Sequence, residues 1–205
     1  MTPNKESGIV LRTGTVDDAA AAAALHVGQI GEGFLTVLGS AFLSRLYRRV
    51  ARTPGSFLLV VEDGETAVGF LAGSTDVSGL YRSFFLRDGA AAVITCGGRL
   101  VRSWRRVMET LRHGTGISAD GAELLAVAVD PTVRRRGAGS LLVDGFLSEM
   151  RSRRQDAAHV VVAADNDTAI ALYSKAGFHA TERFELHPGT DSLLMQWSLS
   201  GTNPS

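Results

Sequence analysis

Between Val127 and Val143 the chain reads VAVDPTVRRRGAGSLLV: an apolar strand, a turn at Asp130-Pro131, then a basic glycine loop entering a helix. A helix N-terminus leaves four backbone N–H groups unpaired and carries about half a positive charge. Gly137 and Gly139 remove side chains there, and Arg134, Arg135 and Arg136 add charged donors, so the segment reads as an anion site. No Gly-Lys-Ser/Thr follows and the GxGxxG spacing is absent, which excludes a Walker loop and a dinucleotide fingerprint. The plainer reading of the same residues is a helix start flanked by solvated arginines. The arginine run also suits a nucleic-acid backbone, but a formal net charge of zero and the lack of aromatic residues beside it point away from one.

Two more places carry chemistry-bearing side chains. Glu123 heads the apolar strand ELLAVAV (123–129), where a carboxylate is costly if buried and unpaired, and unremarkable if it marks an exposed strand end. The segment NDTAIALYSKAGF (166–178) reads as a helix capped by Asn166 and stopped by Gly177. Asn166 and Tyr173 are seven residues apart, which places them two turns apart on one helix face. Tyr173 also falls at core spacing with Ala169, Leu172 and Ala176. The five histidines, His26, His113, His159, His179 and His187, show no HExxH-type spacing, so no metal is expected, and they read as structural or surface residues. No Gly-x-Ser-x-Gly elbow is present and Cys96 has no partner cysteine, which disfavours hydrolase chemistry and any disulfide.

These positions need a scaffold, and the chain patterns one. Its 205 residues are 45% hydrophobic and 20% charged, enough for one globular domain with its own core. Strands are expected at 8–13, 57–62, 66–74, 123–129, 159–164, 178–186 and 191–199. Helices are expected after Thr15-x-x-Asp18, near Ser40 to Arg52, from Ser140 to Arg154, and from Asn166 to Gly177. Asp63-Gly64 marks a hairpin, and 31–39 (GEGFLTVLG) a loop between the first two helices. Residues 79–121 stand apart as an insertion, within which 99–112 is amphipathic. Charge is uneven: residues 80–113 sum to +5 and 134–154 to +4, which suits a small anionic ligand. No apolar run nears the roughly 18 residues of a membrane span. MTPNKESG lacks a signal peptide's features, so a cytoplasmic protein is expected.

Taken together, two motifs resemble the GNAT superfamily of acyl-CoA-dependent N-acetyltransferases. Arg134-Arg135-Arg136-Gly137-Ala138-Gly139 is similar to its Arg/Gln-x-x-Gly-x-Gly/Ala loop. Asn166, Ala169, Leu172-Tyr173 and Gly177-Phe178 are similar to its Asn-x-x-Ala-x-x-Leu-Tyr-x-x-x-Gly-Phe segment. The resemblance is close over 122–180, the acyl-CoA-binding core, and departs from the family at the 79–121 insertion.

The resemblance implies a single α/β (α+β) domain over 1–205: a mixed sheet of about seven strands flanked by helices, with a helical insertion between the third and fourth strands. It implies acetyl-CoA as acyl donor, no metal, and a small-molecule amine acceptor, an amino sugar or natural-product amine. It leaves room for a homodimer and gives no role to nucleic acid. By the same resemblance Val127 and Val129 pair their backbone with pantetheine. Residues 135–140, Ser140 and Ala138 among them, meet the pyrophosphate, and Asn166 bonds the pantetheine arm. Tyr173 donates a proton to the leaving sulfur, and Glu123 acts as base through water, with Glu62 next in line. An acyl-CoA-binding module without catalysis, or a transferase acting on a protein or peptide amine, is the alternative; the presence of Tyr173 favours catalysis. The insertion would wall the acceptor side and leave the donor side free.

Overall fold

The computed structural model describes residues 8–30, 36, 38–96, 121–187 and 190–199. β1 (Ile9–Thr13) leads to the expected capping box of Thr15 and Asp18. What that box caps is a single 3-10 turn, Val16–Asp18, which hands over to α1 (Ala19–Gln29). Ala19, Ala22 and Ala23 are buried, and their small side chains let α1 lie close against α2 (Ser40–Val50). In α2 the expected stripe of Phe42, Leu43, Leu46, Tyr47 and Val50 is the buried face. Most of the 31–39 loop lies outside the described residues.

β2 (Ser56–Asp63) and β3 (Thr66–Ser74) form the expected hairpin, with Asp63 paired to Thr66. Gly64 and Glu65 are therefore the turn residues, and Gly64 takes the positive φ (68°) that such a turn demands. α3 (Val77–Cys96) follows and is the described part of the insertion; it starts at Val77, before the expected boundary. Its Leu80 and Phe84 are buried, and the Phe84 ring meets Phe42 edge to face at 5.3 Å. The amphipathic stretch 99–112 lies outside the described residues.

The second half runs β4 (Ala122–Val129), α4 (Ala138–Ser152), β5 (Ala157–Ala163), α5 (Asp167–Lys175), β6 (His179–His187) and β7 (Thr190–Ser198). The seven strands make one mixed sheet in the order β1-β2-β3-β4-β5-β7-β6, in which only β4 and β5 run parallel. Strand alternation divides the core between the two faces. Phe57, Leu59 and Val61 of β2 join α4 and α5 on one side, while Leu58 and Val60 join α1, α2 and α3 on the other. Among the described residues no helix is long and apolar enough to cross a membrane.

One histidine belongs to the second core. His26 is 3% exposed, shares a 2.5 Å hydrogen bond between Nδ1 and the Tyr47 hydroxyl, and stacks on Phe70. Burial pushes its pKa down to about 4. The unfolded chain therefore binds a proton that the folded one refuses. The stabilising effect is full above about pH 6.5 and disappears as pH falls through about 4. Urea unfolding across this range is expected to show a loss of about 2–3 kcal/mol from this group. In His26→Asn the decline between pH 6.5 and 4 should be correspondingly smaller.

Candidate active site

The central feature is a junction that closes and then opens. Gly121 takes φ +93°, and a Cβ there would lie 2.1 Å from the Ala157 carbonyl oxygen. The heads of β4 and β5 thus touch, backbone against backbone. From there the strands pair at Ala122 with Ala158 and at Glu123 with His159, and among the described residues nowhere further. Each is held on its other side. β5 pairs with β7 along its full length, and β4 pairs with β3 from Glu123 to Val129. A bulge helps β4 turn away: Gly73 pairs Leu124 and Ala72 pairs Ala126, leaving Leu125 as the extra residue.

The direction of the freed backbone follows from one bond. Asp130 N–H donates to the Val68 carbonyl at 2.8 Å, which places residue 130 in a hydrogen-bonded pair with β3. In an antiparallel ladder such pairs alternate, so Ala128 and Ala126 also face β3. Val127 and Val129 then turn their N–H and C=O groups into the gap beside β5, while their side chains pack on the α4 core.

The basic loop lies at the open end. Asp130 caps the turn Pro131–Val133 through Thr132 N–H at 2.8 Å. Arg135 (φ 68°) and Gly137 (φ 85°) are both left-handed, and Gly137 is the N-cap of α4 with no side chain to cover the first turn. The backbone N–H groups of Ala138, Gly139 and Ser140 belong to that uncovered turn. The two glycines have different reasons to be there. Space around Gly137 is open, so its requirement is conformational. A Cβ on Gly139 would come within 3.3 Å of Leu172 Cδ2, so this glycine lets α4 pack on α5. Two of the three arginines are also engaged: Arg134 donates to the Gln29 side-chain oxygen at 2.9 Å and Arg136 to Asp63 at 2.5 Å.

α5 holds the second motif. Asn166 stands outside the helix as its N-cap, accepting from Ala169 N–H at 3.1 Å, and is exposed. At the other end Gly177 (φ 94°) closes a Schellman motif: Gly177 N–H donates to Ser174 C=O and Phe178 N–H to Tyr173 C=O. The hydrophobic contact that accompanies this motif is Tyr173 against Phe178, with ring centroids 5.7 Å apart. Tyr173 is 3% exposed, and burial raises its phenol pKa above the usual value. The Leu-Tyr-x-x-x-Gly-Phe spacing is thus the device that fixes this tyrosine.

Glu123 lies between Ala122 and Leu124, which face the α4 core, so it points to the opposite face, that of α1, α2 and α3. Its carboxylate stands 3.7 Å from His159 Nε2. Glu62 is unsuited to a base. It sits at the loop end of the sheet, hydrogen-bonded at 2.6 Å to Arg12, which lowers its pKa. His159 was not singled out from sequence. Its only signal was a second polar head on an apolar strand, and the parallel register that sets it beside Glu123 is a tertiary fact.

A mixed sheet parted between two parallel strands, with a glycine loop opening a helix at the wide end, defines an acetyltransferase-type fold. Over part of its length the chain is similar in sequence to N-acetyltransferases of the GNAT type, and it shares their fold. A family model described as FR47-like protein matches residues 113–185. Ribosomal protein bS18-alanine N-acetyltransferase of Salmonella typhimurium is 35% identical over 91 residues, 42% of this chain and 62% of that protein. The mycothiol acetyltransferase of Clavibacter sepedonicus is 36% identical over 66 residues, 32% of this chain and 22% of that protein. The chain thus spans less than two thirds of the length of these relatives. In structure it is similar to Ard1 from Thermoplasma volcanium, with a TM-score of 0.61 and 21% identity over 93% of this chain and 97% of that one. Arabidopsis thaliana NAA60 in complex with acetyl-CoA gives a TM-score of 0.61 at 17% identity, over 94% and 99% of the two chains.

The junction depends on Gly121, because the Cβ of any other residue meets backbone there and the φ is left-handed. Gly121→Ala is expected to destabilise the protein by about 2 kcal/mol or more in urea unfolding. Gly137→Ala, with open space around it, should cost about 1–2 kcal/mol from φ alone.

Proposed function

We propose that this protein transfers the acetyl group of acetyl-CoA to a primary amine. The observation that carries the reading is the gap between β4 and β5, with Val127 and Val129 offering backbone groups into it beside the uncovered N-terminus of α4. Pantetheine carries amides that pair with such an edge, as an added strand would. A pyrophosphate suits the N–H groups of 137–140, and Arg135 stands next to it with a partner-free guanidinium among the described residues. The free amide of the Asn166 cap is a donor for the pantetheine arm.

Acetyl transfer needs a neutral amine, a positioned thioester and a proton for the departing thiolate. Glu123 is the group to take the ammonium proton, directly or through water, and Tyr173 the group to protonate sulfur. The two belong to opposite faces of the sheet, so amine and thioester meet across the gap without competing for one side. Burial holds Tyr173 neutral, and the same surroundings disfavour a thiolate forming beside it, so proton transfer stays feasible.

For the acceptor we favour the α-amine of a peptide or protein over the small amine that the sequence suggested. The bS18-alanine N-acetyltransferases among the relatives support this. A small-molecule amine is the second reading, favoured by the similarity to mycothiol acetyltransferases.

The test is thiol release from acetyl-CoA with a panel of acceptors: a peptide beginning with alanine, glucosamine, spermidine and free alanine. Release is expected with the alanyl peptide and should fall by about 10²-fold or more in Tyr173→Phe. Acetyl-CoA should raise the melting temperature of the wild type and not that of Gly137→Glu. A thermal shift without thiol release from any acceptor would identify a binding module instead.

A further inference from the structure

The registers across the sheet align polar residues in one row. Ser56 pairs with Ser74, Ser74 with Glu123, Glu123 with His159, His159 with Gln196, and Gln196 with His179. Residues directly opposite in a ladder share a face, so this row lies on the side of α1, α2 and α3. At its left end Ser56 and Ser74 are buried and bond each other at 3.0 Å. At its centre Glu123 and His159 sit where the strands are about to part, with side chains 31% and 12% exposed.

The imidazole has one nitrogen aimed at the carboxylate and one without a role. Nε2 is 3.7 Å from Glu123 Oε2, while Nδ1 is buried with no hydrogen-bond partner among the described residues. A buried N–H without an acceptor is rarer and more costly than a bare lone pair. The proton of the neutral ring therefore sits on Nε2, facing the carboxylate. The separation is longer than a hydrogen bond, and a movement under about 1 Å closes it, as unliganded sites commonly require.

We propose that His159 is a positioning residue for Glu123: it donates from Nε2 to the carboxylate and holds it ionised and aimed at the gap. This rests on the acetyl-transfer reading above. In the overall reaction the ammonium gives one proton to Glu123, the C–N bond forms as the C–S bond breaks, and the second N–H proton replaces the one Tyr173 gives to sulfur. One proton leaves to solvent from Glu123. A carboxylate that is wrongly turned, or protonated at rest, cannot begin this sequence. Among the described residues the other titratable groups around the pair are Tyr81 of α3 and His179 of β6, with neutral Gln196 between His179 and His159. Burial and then the Glu123 charge raise the Tyr81 pKa, so this phenol stays neutral and adds no charge of its own. His26 of α1 is taken up by Tyr47.

The experiment measures thiol release with the fastest acceptor of the panel, as a function of pH, in His159→Ala and His159→Gln. His159→Ala should lower kcat by about 10-fold, leave the KM for acetyl-CoA unchanged, and move the acidic limb of the kcat profile to higher pH. His159→Gln keeps an N–H donor and should recover most of the rate. An unchanged kcat and acidic limb in His159→Ala, or equal loss in both variants with a raised KM for acetyl-CoA, overturns the proposal. The imidazole 15N NMR spectrum of Glu123→Gln needs neither turnover nor a His159 variant that folds. Replacing the carboxylate should move the His159 Nε2 signal more than that of Nδ1, because Nε2 is the nitrogen that faces it. An Nε2 signal that stays put overturns the proposal, whereas absence of thiol release by the wild type overturns the transferase reading and leaves this spectrum to decide the pairing.

Discussion

Two parallel strands that touch at their heads and then separate impose the arrangement of the rest. Parallel strands in a closed sheet would satisfy each other's backbone groups, and the β4 edge would have nothing to offer. Here the close approach of Gly121 to Ala157 anchors one end, and the pairing of β5 with β7 carries β5 away at the other. The backbone groups of Val127 and Val129 are left facing a slot. Such groups need partners, and their need is what suits the slot to the extended, amide-bearing chain we propose for it.

The same divergence sorts the side chains. At the closed end the polar row reaches its centre in Glu123 and His159, on the face covered by α1, α2 and α3. At the open end the loop and the first turn of α4 present N–H groups and exposed arginines. Tyr173 belongs to the other face, held by the Schellman turn and Phe178. The loop, Tyr173 and Glu123, which we propose as donor site, acid and base, thus occupy separate directions around one opening. Arg12 reinforces the separation by binding both Asp18 and Glu62, which removes a second carboxylate from service at the loop end.

Local signals were legible in the sequence where one segment determines the outcome. The capping box at Thr15, the α2 stripe, the Gly64 turn and the Gly177 stop all depend on neighbours within a few residues, and each appears close to its expected place. The loop and the Asn-to-Phe segment were legible for the same reason. What escaped depends on elements meeting. Gly139 read as room for a phosphate, and its second constraint, the nearness of Leu172, depends on how α4 meets α5. Glu62 read as the next candidate base because nothing in β2 announces Arg12, fifty positions earlier. His159 read as structural because a parallel register leaves no trace in either strand alone. The Leu125 bulge was invisible too, since its cause is how β4 fits β3.

The account turns on the open edge of β4, and amide hydrogen exchange followed by NMR examines it residue by residue. On adding acetyl-CoA, exchange at Val127 and Val129 should slow strongly, while Ala126 and Ala128, already bonded to β3, should change little. Slowed exchange elsewhere with Val127 and Val129 unaffected would contradict it, because the ligand would then bind without using the edge that the parting of β4 and β5 creates.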